Sequence, residues 1–318
     1  MARFFLARFA IFLGSLTAAS ILIFLLMDAL GGDAAEILLG EDATPELLAA
    51  LRAEMGLDRP AAIRYLEWVR GLVTFNLGDS FITKYDIGKE LTRRLALTVP
   101  LAFVALIASA LIGLPLGLIA AVKRHSFIGH VVHVISQVGI AIPTFWSGIL
   151  LSLLFAVYLK VLPTGGYTRP SEDLGDAIRS LILPAAALTL VGSAVLARYA
   201  RAAILDVMSE DYIRTARNLG LSQWQAILRH GIRNASIPLV TVLGLQFADL
   251  IGGAVVIESV FFLPGVGRLV IEAVSARDAI VVQSTVMVLT AFVLVLNFLT
   301  DFAYGIIDPR IRTGAPGH

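Results

Sequence analysis

The amino-acid sequence predicts an all-α integral membrane protein with about six transmembrane helices and a small extracytoplasmic helical module between the first two. Of its 318 residues, 58% are hydrophobic and only 15% are charged, whereas about 25% are charged in an ordinary soluble domain. One soluble core cannot bury that much apolar surface. The apolar residues are also gathered in runs of about 20, the length that a helix needs to cross roughly 30 Å of hydrocarbon.

Six runs of predominantly apolar residues predict the membrane spans. They are 9–27, 95–122, 131–159, 180–197, 237–257 and 279–300. The first run follows Arg3 and Arg8 as a signal peptide would, but no small-residue cleavage site follows it and it exceeds a typical apolar signal region of roughly 7–15 residues. We therefore interpret it as a retained helix. The third run is long enough to tilt or to begin with an interfacial turn.

The distribution of Lys and Arg over the short loops predicts that both termini are cytoplasmic. The segment 31–94 is excluded, because long loops cross the membrane regardless of charge. The predicted inner segments carry Arg3, Arg8, Lys123, Arg124, Arg198, Arg201, Arg214, Arg217, Arg229, Arg233, Arg310 and Arg312. The short outer loops carry only Lys160, Arg169, Arg179, Arg268 and Arg277.

Segment 31–94 is predicted to be a small extracytoplasmic module of two amphipathic helices. Thr44 is a candidate N-cap with Pro45 at the first helical position, and Gly56 is a candidate stop. Asp58, before Pro60, is expected to start the second helix. The apolar face of the first helix would consist of Leu47, Leu48, Leu51 and Met55, and the second helix would contain Tyr65, Leu66, Trp68 and Val69.

The predicted organisation has four parts. These are a first helix with a cytoplasmic N-terminus at 1–30, the module at 31–94, a five-helix core at 95–308 that includes a cytoplasmic loop at 198–236, and a cytoplasmic tail at 309–318. Within the core, Gly113 and Gly117 are spaced for close helix approach, and Pro143 and Pro184 are expected to kink or cap spans three and four.

The cytoplasmic loop 198–236 is too patterned for a simple linker. Ser209 is a candidate N-cap, and Gly220 is a candidate stop. The sequence SQWQ at 222–225 indicates a capping box that opens a second helix. The expected apolar positions are Tyr212, Ala216 and Leu219 in the first helix and Ile227, Leu228 and Ile232 in the second. Such a helical hairpin is compatible with lying on lipid or with docking into a groove on a partner.

Specific sequences within and around this loop resemble one protein family. The sequence YIRTARNLGL at 212–221 is similar to the cytoplasmic signature loop of binding-protein-dependent ABC permeases, which in that family inserts into a groove on the ATPase subunit. The resemblance assigns ATPase coupling to Tyr212, Arg214, Thr215, Ala216, Arg217, Gly220 and Leu221. The family's usual Glu-Ala-Ala reads Arg214-Thr215-Ala216 here, and its Leu-Pro is replaced by Ile232-Arg233, with the proline displaced to Pro238.

These departures resemble the dipeptide, oligopeptide and nickel branch, and within it the first permease subunit type. Further similar segments are MGLD at 55–58, LGDS at 77–80, IPTFW at 142–146, ESVFFLPGVGRL at 258–269 and DPRIR at 308–312. The resemblance implies a permease subunit of an ATP-driven importer in the bacterial cytoplasmic membrane. Its expected partners are a second permease, two ATPases, a solute-binding protein and membrane lipid.

The resemblance implies transport of di- or oligopeptides, with nickel chelates or glutathione as alternatives. A rival of another class is a secondary transporter driven by an ion gradient, which would predict an inverted repeat and several midplane charges; we find no convincing repeat. No phosphate-loop sequence occurs, so ATP and Mg would be used by partner subunits and this chain is expected to bind no cofactor. We find no catalytic motif and predict no enzyme activity and no metal site. A net charge of +1 argues against a nucleic-acid partner.

Ionisable groups inside a membrane are costly and usually face a cavity or another helix. Asp249, near the middle of span five, is therefore a candidate for lining the pathway or contacting another subunit. Glu258, at the outer end of that span, is a candidate gate or binding-protein contact, with snorkelling to the interface as the alternative. Gln246 is a candidate for the same pathway, although a hydrogen bond between helices is the more ordinary role for an amide.

Overall fold

The computed structural model describes residues 2–30, 34–40 and 43–307, and it confirms the all-α fold class. Within these ranges there is no β-strand, only an isolated bridge between Asp79 and Asp86. The helices are α1 Ala2–Leu30, α2 Ala34–Leu39, α3 Pro45–Glu54, α4 Ala61–Thr74, α5 Ile87–Val122, α6 Phe127–Ala141, α7 Thr144–Ser152 with a π-helical extension Leu153–Tyr158, α8 Leu174–Ser209, α9 Asp211–Asn218, α10 Gln223–Ala226 with a π-helical extension Ile227–Gly231, α11 Ile232–Val260, α12 Val266–Ser275 and α13 Ala279–Ile307.

Within the described residues, five helices are long and apolar enough to span a membrane, and a bent pair gives a sixth span if it is counted as a single crossing. The bent pair is α6 with α7 and its extension, which meet at 102°. The predicted third span, 131–159, is thus bent, and the expectation that Pro143 kinks or caps it is confirmed. Pro143 is the N-cap residue of α7, and a proline disfavours helical backbone in the residue before it. Accordingly, Ile142 is extended and ends α6.

Helices α5 and α8 are much longer than the apolar runs that predicted them. Helices α5 and α8 each contain 36 residues, which is about 54 Å at 1.5 Å per residue. Helix α8 starts at an N-cap, Asp173, whose carboxylate accepts from the amide of Asp176 at 2.9 Å. It then continues past Arg198 to Ser209. The predicted loop 198–236 is consequently reduced to residues 210–222 between α8 and α10.

Backbone contacts divide the chain into two compact units. The larger unit consists mainly of Thr98–Leu263, and the smaller one consists of Phe5–Leu97 and Pro264–Val295. The smaller unit thus contains α1 from Phe5 onward, α2 to α4, α12 and residues 279–295 of α13. Sequence reasoning missed α2, and it missed α12, which lies in the segment expected to be an outer loop.

The larger unit is built around α8, which packs on α6, α7 and α11. Small residues allow this packing, because the buried side of α8 includes Ala187, Gly192, Ala194, Ala197, Ala200 and Ala203. A Cβ atom added to Gly113 would lie 2.5 Å from the carbonyl oxygen of Ser193, and one added to Gly117 would lie 2.5 Å from that of Ala197. The prediction that these two glycines permit close helix approach is therefore confirmed.

The smaller unit joins the C-terminal half of α1 to α4. The rings of Phe24 and Tyr65 are 5.4 Å apart, the hydroxyls of Ser20 and Tyr65 are 2.8 Å apart, and Arg64 pairs with Asp28 at 2.7 Å. A second core brings together Leu77, Ile87, Leu91, Val266, Leu269, Ala273 and Val281. This unit therefore folds through contacts between segments that are distant in sequence.

Two local predictions within the smaller unit can be compared with the structure. Thr44 caps α3 and Pro45 is its first residue, as predicted, and Gly56 adopts a φ of +69° just after the helix ends. Asp58 does not cap α4. That helix instead starts after Pro60, whose ring fixes φ near the helical value, and no side chain caps it.

We predict that Gly117→Ala destabilises the protein by about 1–3 kcal/mol, the usual range for overpacking a close contact. The added methyl group would meet the backbone of α8. Gly252→Ala is the matched control, because a Cβ atom there meets nothing within 4 Å. Thermal unfolding of the purified variants in one detergent checks this. Equal midpoints for the two variants would contradict the packing account.

Candidate functional site

Residues 210–222 form a short helix and a turn between α8 and α10. Helix α9 starts at Asp211, and its N-cap is Glu210, without a side-chain hydrogen bond. The prediction that Ser209 is the cap is wrong. Because α8 continues through that residue, the Ser209 hydroxyl instead donates to the carbonyl oxygen of Asp206 at 2.7 Å.

Gly220 ends the first helix, as predicted. Its φ is +97°, a left-handed conformation that only glycine adopts without strain. The amide of Gly220 donates to the carbonyl oxygen of Arg217 at 3.0 Å, and the amide of Leu221 donates to the carbonyl oxygen of Ala216 at 3.3 Å. The turn therefore satisfies carbonyl groups that the end of α9 would otherwise leave without partners.

The predicted capping box is also present. The Ser222 hydroxyl accepts from the amide of Gln225 at 3.3 Å, and the Gln225 side chain accepts from the amide of Ser222 at 3.0 Å. The helix that starts here is not a separate arm of a hairpin, because α10 passes through its π-helical turn directly into α11. The far side of the loop is thus the first turn of a membrane-spanning helix.

Two side chains of α9 hold the loop against the larger unit. Ile213 is 1% exposed, and it lies with Ala216 in a core that contains Ala121, Ala203, Ile204, Val207, Ala226, Ile227 and Ala235. The predicted apolar stripe is wrong at both ends, since Tyr212 and Leu219 are exposed. The phenol oxygen of Tyr212 accepts from Asn234 at 2.8 Å.

The outward side of the loop carries an apolar side chain among cations. Leu219 is 81% exposed. Arg214, Thr215 and Arg217 are also exposed, and Arg214 makes a long, exposed pair with Asp211 at 3.5 Å. A shallow cleft beside them is lined by Arg214, Arg217, Asn218, Leu221, Ser222 and Gln223. An exposed leucine next to a shallow polar cleft can bind a complementary groove on another protein.

The polar residues predicted within span five fall into different environments. Glu258 is fully buried in this chain, and its carboxylate accepts from the Thr98 hydroxyl at 2.5 Å. Gln246 is also buried and faces Gly192, where an added Cβ atom would lie 3.5 Å from its amide nitrogen. Asp249 is exposed on the surface of the chain. The structure therefore does not bring the three together.

Sequence reasoning missed the partner of Glu258 and the small polar residues beside Gln246. Ser109, Thr189 and Ser193 are buried in the larger unit, and the hydroxyl of Ser109 donates to the carbonyl of Thr189 at 3.4 Å. Serine and threonine are common in membrane helices, where they bond to their own backbone. Their sequence positions therefore gave no signal of contacts between helices.

Comparisons with known proteins agree with this arrangement. Residues 113–313 match the sequence profile of "Binding-protein-dependent transport system inner membrane component", and residues 1–102 match its N-terminal counterpart. A di/tripeptide transport system permease from Pseudomonas aeruginosa is 37% identical over 98% of this chain and 99% of its own length. A Brucella abortus protein, provisionally named a peptide transport system permease, is 39% identical over 98% of this chain and 99% of its own length.

Solved structures show the same fold. A chain of the MetNI methionine ABC transporter in an inward-facing conformation superposes with a TM-score of 0.59, covering 69% of this chain and 97% of its own length. The sequence identity of the pair is 19%, so this likeness concerns the fold alone.

The fold and the loop together define the class of this protein: it is a multi-pass permease of the ABC importer type. The chain belongs to the family of binding-protein-dependent transport system inner membrane components. It is a multi-pass inner membrane protein and a transport subunit rather than an enzyme, and permeases of this family work with ATPase and binding-protein partners. The predicted tail sequence DPRIR at 308–312 lies outside the described residues.

We predict that Thr98→Val destabilises the protein by about 1–3 kcal/mol, because a buried carboxylate loses a hydrogen-bond donor. Thr98→Ser is the matched control, since it keeps the hydroxyl and removes only a methyl group. Thermal unfolding in detergent compares the two. If Thr98→Val were as stable as Thr98→Ser, the hydrogen bond to Glu258 would contribute nothing.

Proposed function

We propose that this chain is the permease subunit of an ATP-driven importer that moves di- or oligopeptides delivered by an extracytoplasmic binding protein. The substrate class is supported by the names of the relatives, which match nearly the full chain. Nickel chelates and glutathione are the alternatives within the branch. An ion-gradient-driven transporter is opposed by the family itself, whose members depend on binding proteins.

The proposed complex contains this permease, a second related permease, two ATPases and one binding protein. The ATPases would bind ATP and Mg and would dock on residues 210–222, so both termini of this chain would be cytoplasmic. The excess of Lys and Arg in the predicted inner segments supports that orientation. Arg214 and Arg217 would then meet the partner surface beside Leu219.

The observation that carries the proposal is the way in which the loop joins two spans. It follows directly from α8 and leads directly into α10 and α11, and Ile213 and Ala216 are buried in the core between them. A movement imposed on this loop by an ATPase is therefore passed to two membrane helices together. ATP binding would shift the pathway between inward- and outward-facing states, because ATP would bind the complex with different affinity in the two states.

Affinity purification of the chain from its native membrane in mild detergent, followed by mass spectrometry, tests this function. We expect two ATPases, a second permease and the binding protein to co-purify, and the ligand eluted from the binding protein identifies the substrate. Recovery of a stable chain without ATPases would contradict the proposal. A binding protein that carries nickel or glutathione would overturn the peptide assignment alone.

We predict that Leu219→Asp abolishes co-purification of the ATPases and lowers ATP-driven uptake at least tenfold. The leucine is exposed, so its substitution leaves the fold unchanged, but it would place a charge in an apolar groove. The control is Leu174→Asp, because Leu174 is also exposed and lies at the opposite end of α8. If both variants kept their ATPases, the loop would not be the docking element.

We also propose that Asp249, which is exposed on this chain within a membrane helix, faces the pathway or the second permease. Asp249→Asn removes the charge and keeps the shape, so we expect slower uptake or weaker assembly with unchanged stability of the isolated chain. Uptake and subunit recovery are measured side by side. Normal values for both would remove Asp249 from the site.

A further inference from the structure

A group of basic side chains surrounds the turn between α5 and α6. Lys123, Arg124 and His125 are exposed in this turn. The first residues of α6 hold it close, because Gly129 lies directly against the backbone of Lys123. The sequence contains no Asp or Glu between Glu90 and Glu172. Neither α6, α7 nor the membrane portion of α5 can therefore neutralise these charges.

Helix α8 adds another cation beside the same turn. The backbone of Arg201 lies against α5, since a Cβ atom on Gly117 would be 2.9 Å from its nitrogen. Among the described residues, the buried Nε of Arg201 has no hydrogen-bond partner. Arg201 thus adds a positive charge where α8 packs on α5.

The nearest acidic residue that follows on α8 lies on another side of the helix from Arg201. The first one after Arg201 is Asp206, five residues further on, which places it about 140° around the helix axis. Arg198, on the preceding turn, is exposed and lies over the ring of Tyr199 at 5.1 Å. The group therefore attracts an anion.

Apolar surface continues directly from the basic group along α6. Phe127 is 83% exposed and Ile128 is 51% exposed, and Val134, Ile135 and Val138 are exposed beyond them. A ligand that fills both surfaces needs an anionic head and hydrocarbon tails. A free phosphate ion would leave the apolar part uncovered.

We propose that Lys123, Arg124, His130 and Arg201 bind the phosphate headgroup of an anionic phospholipid, with its acyl chains along Phe127 and the outer face of α6. Basic pockets between membrane helices bind such headgroups through charge. The cytoplasmic leaflet as the source of this lipid follows from the proposed orientation. The lipid would fix the inner ends of α5 and α6 beside α8.

Native mass spectrometry of the purified full chain, titrated with phosphatidylglycerol or phosphatidylcholine, tests the site. We expect phosphatidylglycerol to bind the unmodified chain more tightly than phosphatidylcholine. In Lys123→Gln/Arg124→Gln its affinity should fall about thirtyfold, from roughly 1 kcal/mol for each charge. Arg70→Gln/Arg169→Gln, which removes two exposed cations elsewhere, should change the affinity less than twofold.

Three results would overturn the proposal. The first is equal binding of the two lipids to the unmodified chain. The second is an equal loss of phosphatidylglycerol affinity in both double variants. The third is displacement of phosphatidylglycerol by millimolar glycerol phosphate, which would indicate a site for free phosphate. The first comparison uses no variant, so it holds even if a variant misfolds. No ATPase is present in the lipid-binding experiment, so a negative result there leaves the importer assignment intact. Conversely, failure of the ATPases to co-purify leaves the lipid site intact.

Discussion

Along α8, the larger unit brings helix backbones close together at glycine and alanine. Gly113 and Gly117 of α5 face carbonyl groups of α8, and Gly139 of α6 faces Ala194. Lipid provides no hydrophobic force between helices, so close packing and hydrogen bonds must hold them. The buried pair of Glu258 and Thr98 adds a polar contact in the same unit. The arrangement of α5, α6, α7 and α11 around α8 depends on this close approach.

The same helix connects the membrane core to the loop at residues 210–222. Because α8 continues without a break to Ser209, α9 follows after a single residue and packs back through Ile213 onto Val207 and Ile227. On the other side, α10 leads without a gap into α11. A force on the exposed Leu219 therefore acts on two spans through a buried apolar contact rather than through a flexible linker, as a coupling element requires.

The sequence was most informative where structure is set by local chemistry. Gly220, the Ser222 capping box and Thr44 with Pro45 were predicted correctly, because a cap depends on residues within one turn. The length of α8 was not predicted correctly, because the apolar run ends at Arg198 whereas the helix continues past it. The break at Pro143 was left open between a kink and a cap, and the structure makes it a 102° bend.

The hydrophobic pattern of the sequence could not predict the tertiary contacts. Tyr212 and Leu219 share a helical stripe with Ala216, yet the packed face is the one with Ile213, because α8 and α11 lie on that side. Thr98 and Glu258 are separated by 160 positions, and nothing in either local sequence indicates the other. The family motifs supplied the assignment of the loop, while the structure supplied its attachment to two spans.

The most direct measurement of the central claim is photo-crosslinking from Leu219. The chain has no cysteine, so Leu219→Cys can carry a single photoreactive maleimide in native membranes. If the loop couples transport to ATP, irradiation will give an adduct with a nucleotide-binding ATPase subunit. An adduct with lipid alone, or modification of this cysteine by an impermeant reagent added outside intact cells, would contradict the account.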